Sequence, residues 1–145
     1  MSMTNTAEQA LLDLLFLNVD FANIGDASGL QNSASAGSFY VSLLESDPGE
    51  TGSITGESTY TSYARVAVAR DGTGWSRTSS TISNAALVSF PASTGGTSTV
   101  THFGIHTASS GSGNMILYGE LGASRTITSG NTPQFAAGQL TVEVN

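Results

Sequence analysis

Residues 99–121, TVTHFGIHTASSGSGNMILYGEL, decide the fold of this chain. Over 99–107 apolar and polar residues alternate. Phe103 and Ile105 fall on one side of an extended backbone and His102 and His106 on the other, with Gly104 between the histidines leaving room for a bulky neighbour. Residues 109–113 are a Ser/Gly turn cluster, and 115–121 is a second strand-like run. A period of two, punctuated by Gly and Ser and never interrupted by helical spacing, is the pattern of an all-β domain.

The same alternation recurs on both sides of this stretch. Phe39, Val41 and Leu43 alternate with Tyr40 and Ser42, and Val66 and Val68 with Arg65, Ala67 and Ala69. Further strands are expected over 82–90, where Pro91 closes the run, over 124–128, and over 139–144, where Leu140, Val142 and Val144 share a face. Turn clusters at 71–74, 93–96 and 129–133 separate them. The expected architecture is mainly β: a jelly-roll-like β-sandwich of about seven to eight antiparallel strands. It would occupy residues 38–145 and follow an N-terminal helical arm and connector over residues 1–37.

Within that arm, Thr6 stands three residues before Gln9 in a capping-box arrangement, with Glu8 in the first turn, so a helix is expected to begin at Ala7. Ala7, Ala10, Leu11, Leu14 and Leu15 follow one helical face, and Phe16 and Leu17 widen the apolar arc. Two arrangements fit: a helix packed on its own domain, or an arm docked on a neighbouring subunit. Residues 45–58, ESDPGETGSITGES, form an acidic excursion carrying Glu45, Asp47, Glu50 and Glu57, expected to be a solvated loop.

Composition narrows the chemistry. The 145 residues hold 11 acids against 4 bases, giving a net charge of −7, and no cysteine. All four cations are arginines, so P-loop, Schiff-base and Ser-Lys chemistries lack their lysine. Disulfides, zinc knuckles and thiol nucleophiles are excluded with cysteine. An acidic chain repels phosphate, so no nucleic-acid partner is expected. No run approaches the roughly 20 apolar residues of a bilayer-spanning helix, and the first ten residues carry no cation for a secretory signal. Synthesis in a cytoplasm and no membrane partner are the expectations.

Candidate sites are few. His102 and His106, on one face of a strand, stand roughly 13 Å apart along the backbone, too far for two ligands of one zinc ion. There is no G-x-S-x-G elbow and no G-x-G-x-x-G cradle, although a triad built on one of the histidines is left open. The four loop acids lack the order of an EF-hand, and weak calcium binding there is also left open. No catalytic residue, metal or cofactor is expected. Trp75, flanked by Arg70 and Arg77, is either a core plug or an interface anchor.

One series of anchors runs along the chain: Tyr63-Ala64-Arg65, Trp75, Phe90-Pro91, Thr101-His102-Phe103-Gly104-Ile105, Leu117-Tyr118-Gly119-Glu120-Leu121, then Phe135-Ala136-Ala137-Gly138 and a terminal alternating strand. This order resembles a family of small tailed-bacteriophage virion proteins, in which tail-fibre-like proteins and capsid cement or decoration subunits occur. The resemblance implies a non-enzymatic structural protein. The leading expectation is a capsid decoration (cement) protein on the capsid exterior, a homotrimer bridging neighbouring subunits of the major capsid protein. The alternative is a tail or tail-fibre component involved in host attachment. A decoration protein acts by burying surface on several neighbours at once, and a trimer matches the threefold positions of a shell. The expected interface residues are Leu11, Leu14, Leu15 and Phe16 on the arm, with Trp75 and the scarce cations Arg65, Arg70 and Arg77 as inter-subunit contacts.

Overall fold

A computed structural model describes residues 2–144. One helix and nine strands follow in chain order among the described residues. They are α1 (Asn5–Phe16), β1 (Ser38–Leu44), β2 (Val66–Ala69), β3 (Trp75–Thr78), β4 (Thr81–Asn84), β5 (Val88–Ser89), β6 (Thr97–His106), β7 (Met115–Thr128), β8 (Gln134–Phe135) and β9 (Thr141–Glu143). The chain is mainly β with antiparallel sheets and a short N-terminal helix, the class that the alternation predicts. The count exceeds the expected seven to eight because β3 and β8 fall outside the expected runs and the run over 82–90 divides into β4 and β5, which outweighs the joining of two expected runs in β7. The sheets have the orders β2-β1-β6-β7 and β3-β4-β9, with β5 and β8 paired separately. Two compact units result, one made of residues up to 38, 69–88 and from 135 onward, the other of 39–68 and 89–134.

In the first unit, α1 starts earlier than expected. Thr4, not Thr6, is the N-cap, and its hydroxyl accepts from the Ala7 N–H at 3.4 Å. The fully buried ridge is Glu8, Leu12 and Phe16, spaced i, i+4, i+8, while Leu11, Leu14 and Leu15 lie half-buried beside it. Contacts with β3 and β4 select that ridge. Phe16 meets Trp75 edge-to-face with ring centroids 4.7 Å apart, and the Ser80 hydroxyl donates to Glu8 Oε2 at 2.6 Å. At the other end Asn18 takes a positive φ of 54°, and the N–H groups of Leu17 and Val19 both return to the Asp13 carbonyl, closing the helix. The orphan carbonyls of the last turn receive a side chain: Arg70 donates to Leu14 O at 2.8 Å and to Leu15 O at 2.6 Å.

The run expected over 82–90 breaks at Asn84. This buried side chain donates to the carbonyls of Ala86 and Ala136 and accepts from Leu140 N at 2.8 Å. All its polar atoms are engaged across the chain rather than along a strand, so β4 stops there. β9 then adds to β4 with Ile82 opposite Val142.

In the second unit β1 is interior to its sheet, and residues Val41 to Leu44 are buried on both faces. Its register with β6 sets Tyr40 opposite His106 and Leu44 opposite His102. The two runs expected at 115–121 and 124–128 are one 14-residue strand, β7, the outermost in its sheet. Its register shifts: His102 pairs with Glu120 but Val100 pairs with Arg125, so residues 121–124 bulge from the ladder.

Candidate functional site

Tyr63 and Arg65 are two apart on an extended segment and share a side. The far end of the acidic excursion comes back to meet them, because Ser58 N bonds Leu43 O and Leu44 bridges Glu57. Glu57 is thereby placed against Arg65. The guanidinium grips both carboxylate oxygens at 2.8 Å, and its side chain is only 1% exposed. Its remaining N–H groups donate to Ala108 O at 2.9 Å, Gly111 O at 2.9 Å and Asn114 Oδ1 at 3.2 Å. All five donors are therefore used. Burial pushes the Glu57 carboxyl up, but hydrogen bonds from Arg65 and Tyr63 and the Arg65 charge outweigh it and hold the group below its ordinary range. The Tyr63 phenol is driven well above its usual range, first by burial and then by the Glu57 carboxylate.

This network continues into the second histidine. Asn114 Oδ1 also lies 3.2 Å from His106 Nδ1, and its amide nitrogen faces the Ser112 carbonyl at 3.2 Å, which fixes the oxygen as the acceptor. His106 Nδ1 thus carries the proton, and Nε2 accepts from the Ser42 hydroxyl at 2.8 Å. Burial lowers the His106 pKa and the Arg65 charge lowers it further, against the opposing effects of Asn114 and Glu57, so the imidazole is neutral at pH 7. Ser42, His106 and Asn114 follow the order of nucleophile, base and orienter. Ser42 and His106 are each 0% exposed, however, and the orienter is an amide rather than a carboxylate. Gly104 lies across from Ser42, and a Cβ there would stand 2.8 Å from Ser42 Oγ, 2.9 Å from His106 Nε2 and 3.0 Å from Met115 Cε. The hydroxyl has no open face toward a substrate. The arrangement works as a polar clasp that fastens β1 and β6 to the 108–114 turn.

Nor does the acidic excursion form a cluster. The Ser98 hydroxyl donates to Glu45, Asp47 caps Gly49 N at 2.8 Å, and Tyr118 donates to Glu50 at 3.1 Å. Among the described residues no group of three His, Asp or Glu side chains converges as a metal site would. The solvated loop expected from sequence is tied down at each acid, and Glu57 is drawn largely inside.

The expected interface residues divide. Leu11, Leu14 and Leu15 keep part of their surface open, whereas Phe16 and Trp75 are fully buried. Trp75 is a core plug, and its Nε1 is the one buried side-chain polar atom without a hydrogen bond among the described residues. Arg65 and Arg70 serve carbonyls and a carboxylate of their own chain, and Arg77 pairs with Asp13 and donates to Ser79 O. These three arginines, expected as contacts to a neighbour, make the bonds described here within their own chain. Sequence reasoning missed Ser42 and Asn114 as site residues and took Glu57 only as one of four loop acids, not as the partner of Arg65.

A protein-family model described as Podophage GP4 fiber I protein gp80 matches residues 2–143, nearly the whole chain. No curated protein matches it.

Proposed function

The chain belongs to this podophage fibre I protein family, and from that premise we propose that it serves as a fibre component of the virion rather than as shell cement. Its coarser role follows from the family: it is a structural protein of a tailed-phage virion. The family match over residues 2–143 is the observation that carries the fibre reading. The buried polar networks agree with it, since Ser42, His106, Glu57 and Arg65 brace strands and turns instead of presenting reactive groups. Function on this reading is adhesion, with contacts to other virion parts and to a host surface distributed over many weak sites. The bridging of major capsid subunits, the expectation with which the sequence began, is the competing assignment.

Immunogold labelling of intact particles separates the two. Label on projections from the particle, together with loss of adsorption in phage lacking the protein, is the expected result. Label spread over the head lattice, with purified protein binding emptied shells at fixed stoichiometry and raising their heat tolerance, would overturn it in favour of cement.

A further inference from the structure

Asn114 Oδ1 is a shared acceptor. Arg65 Nη1 and His106 Nδ1 both donate to it, each at 3.2 Å, so the imidazole and the guanidinium stand side by side on one amide oxygen. The opposite edge of the ring accepts from the Ser42 hydroxyl at 2.8 Å, the one hydrogen bond of that side chain among the described residues. The other groups around His106 offer it no counter-ion. Next to Ser42, β1 places Tyr40 opposite it in register, β7 places Met115 there, and the 108–114 turn carries no charge. Glu57 is the acid whose charge it feels, and both oxygens of that carboxylate are already held by Arg65, one of them also by Tyr63. His102, four residues back on the same strand, is bonded to Thr101 instead.

A neutral imidazole satisfies this site, with one nitrogen donating and the other accepting. An imidazolium does not. Its Nε2–H would face the Ser42 hydroxyl, which would have to turn and accept, leaving its own proton without an acceptor. The new charge would also lie with 0% exposure beside Arg65, in a cluster that Glu57 and Arg65 already bring to neutrality. The sheet side resists, because Val41 to Leu44 are buried and interior to their sheet. The turn side can yield. Residues 109–113 are exposed Ser and Gly with no apolar side chain to anchor them, and they are held by bonds from Arg65 to Ala108 O and Gly111 O and by the Asn114 amide.

We propose that the 108–114 turn is an acid-released flap with His106 as its latch: the neutral imidazole keeps it shut through Asn114, and protonation frees it while the β1–β6 ladder stays paired. The open form takes up a proton near the ordinary histidine pKa of about 6.5, whereas burial and then the Arg65 charge lower the pKa of the closed form. Closure is therefore fully favoured above about pH 6.5 and weakens as pH falls toward the closed-form value. Opening takes from Arg65 its Ala108 and Gly111 acceptors, so the acid form presents a guanidinium that the neutral form keeps 1% exposed. None of this depends on where the protein sits in the virion.

NMR-detected hydrogen exchange between pH 7 and pH 5, corrected for the intrinsic rate at each pH, tests it. The reporter is the Thr107 amide, whose bond to Asn114 O closes the turn. Its protection should fall about tenfold over that range, reversibly, while the β1 amides at 40–44 keep theirs. Glu57 stays ionised throughout, since its pKa lies below the ordinary carboxylate range. His106→Gln, which takes up no proton, should lose the pH dependence, and His102→Gln should keep it. Unchanged Thr107 protection in the parent, a fall that persists in a folded His106→Gln chain, or a fall abolished by His102→Gln would each overturn the proposal. Should His106→Gln fail to fold, the parent and His102→Gln still decide.

Discussion

Replacing Arg65 by Met keeps most of the side-chain stem and removes the guanidinium. Glu57 would then lose both 2.8 Å contacts and keep only the Tyr63 hydroxyl, at 2.8 Å, while Ala108 O loses its Arg65 donor and Gly111 O is left with the Asn114 amide at 3.5 Å. Breaking a buried ion pair by removing one partner costs about 3–5 kcal/mol, because the other charge stays desolvated. The Glu57 side chain retains 16% exposure and one donor, so the low end, about 3 kcal/mol, is expected. For a chain of this size that lowers Tm by about 6–12 °C. The deficit should depend on pH with a definite sign. Glu57 has a depressed folded-state pKa, so its contribution is present above the unfolded carboxylate pKa and is lost as pH falls through the folded value. The Tm gap between parent and variant is therefore full at pH 7 and narrows on acidification. Thermal melts by circular dichroism at pH 7 and about pH 3 read it, and hydrogen exchange should show the 108–114 turn loosened in the variant. A Tm within about 2 °C of the parent at pH 7, or a deficit unchanged by acid, would refute the assignment of this pair as the brace of that turn.

Two other substitutions probe the interior. Trp75→Phe removes an indole N–H that has no partner, so the lost area is offset and stability should stay within about 1 kcal/mol of the parent in urea melts, against a loss of about 3–5 kcal/mol for Trp75→Ala; equal losses would show that the N–H is not an orphan. Gly104→Ala drives a methyl to 2.8 Å from Ser42 Oγ and 2.9 Å from His106 Nε2, so it should cost about 1–3 kcal/mol and shift the His106 imidazole resonances; an unmoved imidazole would mean that the clasp is looser than its distances indicate.

Alternation carried the β class because sheet burial is written at period two: β6 shows buried Ser98 and Val100 against exposed Thr97 and Thr99. What alternation cannot carry is a side chain that stops or bends a strand. Asn84 ends β4 with hydrogen bonds to Ala136 and Leu140, more than 50 residues away, and no local pattern announces such bonds. The β7 bulge joins two runs that look separate because Gly122 and Ala123 interrupt the alternation. On the helix, Thr4 and Thr6 are equally good caps by type, and the β3–β4 side then selects Glu8, Leu12 and Phe16 over the larger apolar face. The clasp of Ser42, His106 and Asn114 joins residues 64 and 8 positions apart, the first relation set by β1–β6 register and the second by the turn that closes with Thr107 N on Asn114 O.

Absent lysine and absent cysteine have a common physical consequence. A chain without disulfides must hold its turns and helix ends by other means. Arg65 holds the 108–114 turn through Ala108 and Gly111, Arg70 holds the end of α1 through Leu14 and Leu15 and also Ala36, and Arg77 holds Ser79 while paired to Asp13. Arg65 and Arg70 each reach several carbonyls at once because five donors form a fixed planar fork; an ammonium, with three donors on a flexible stem, has no such geometry. Three of the four cations are in this way committed to groups of their own chain, whereas Arg125 is exposed and reaches the carbonyl of its neighbour Ser124 at 3.5 Å. Reversing the exposed Arg125 should therefore leave the stability of the chain within about 0.5 kcal/mol of the parent, whereas removing Arg65 should loosen the 108–114 turn and cost about 3 kcal/mol, a contrast that parallel urea melts would read.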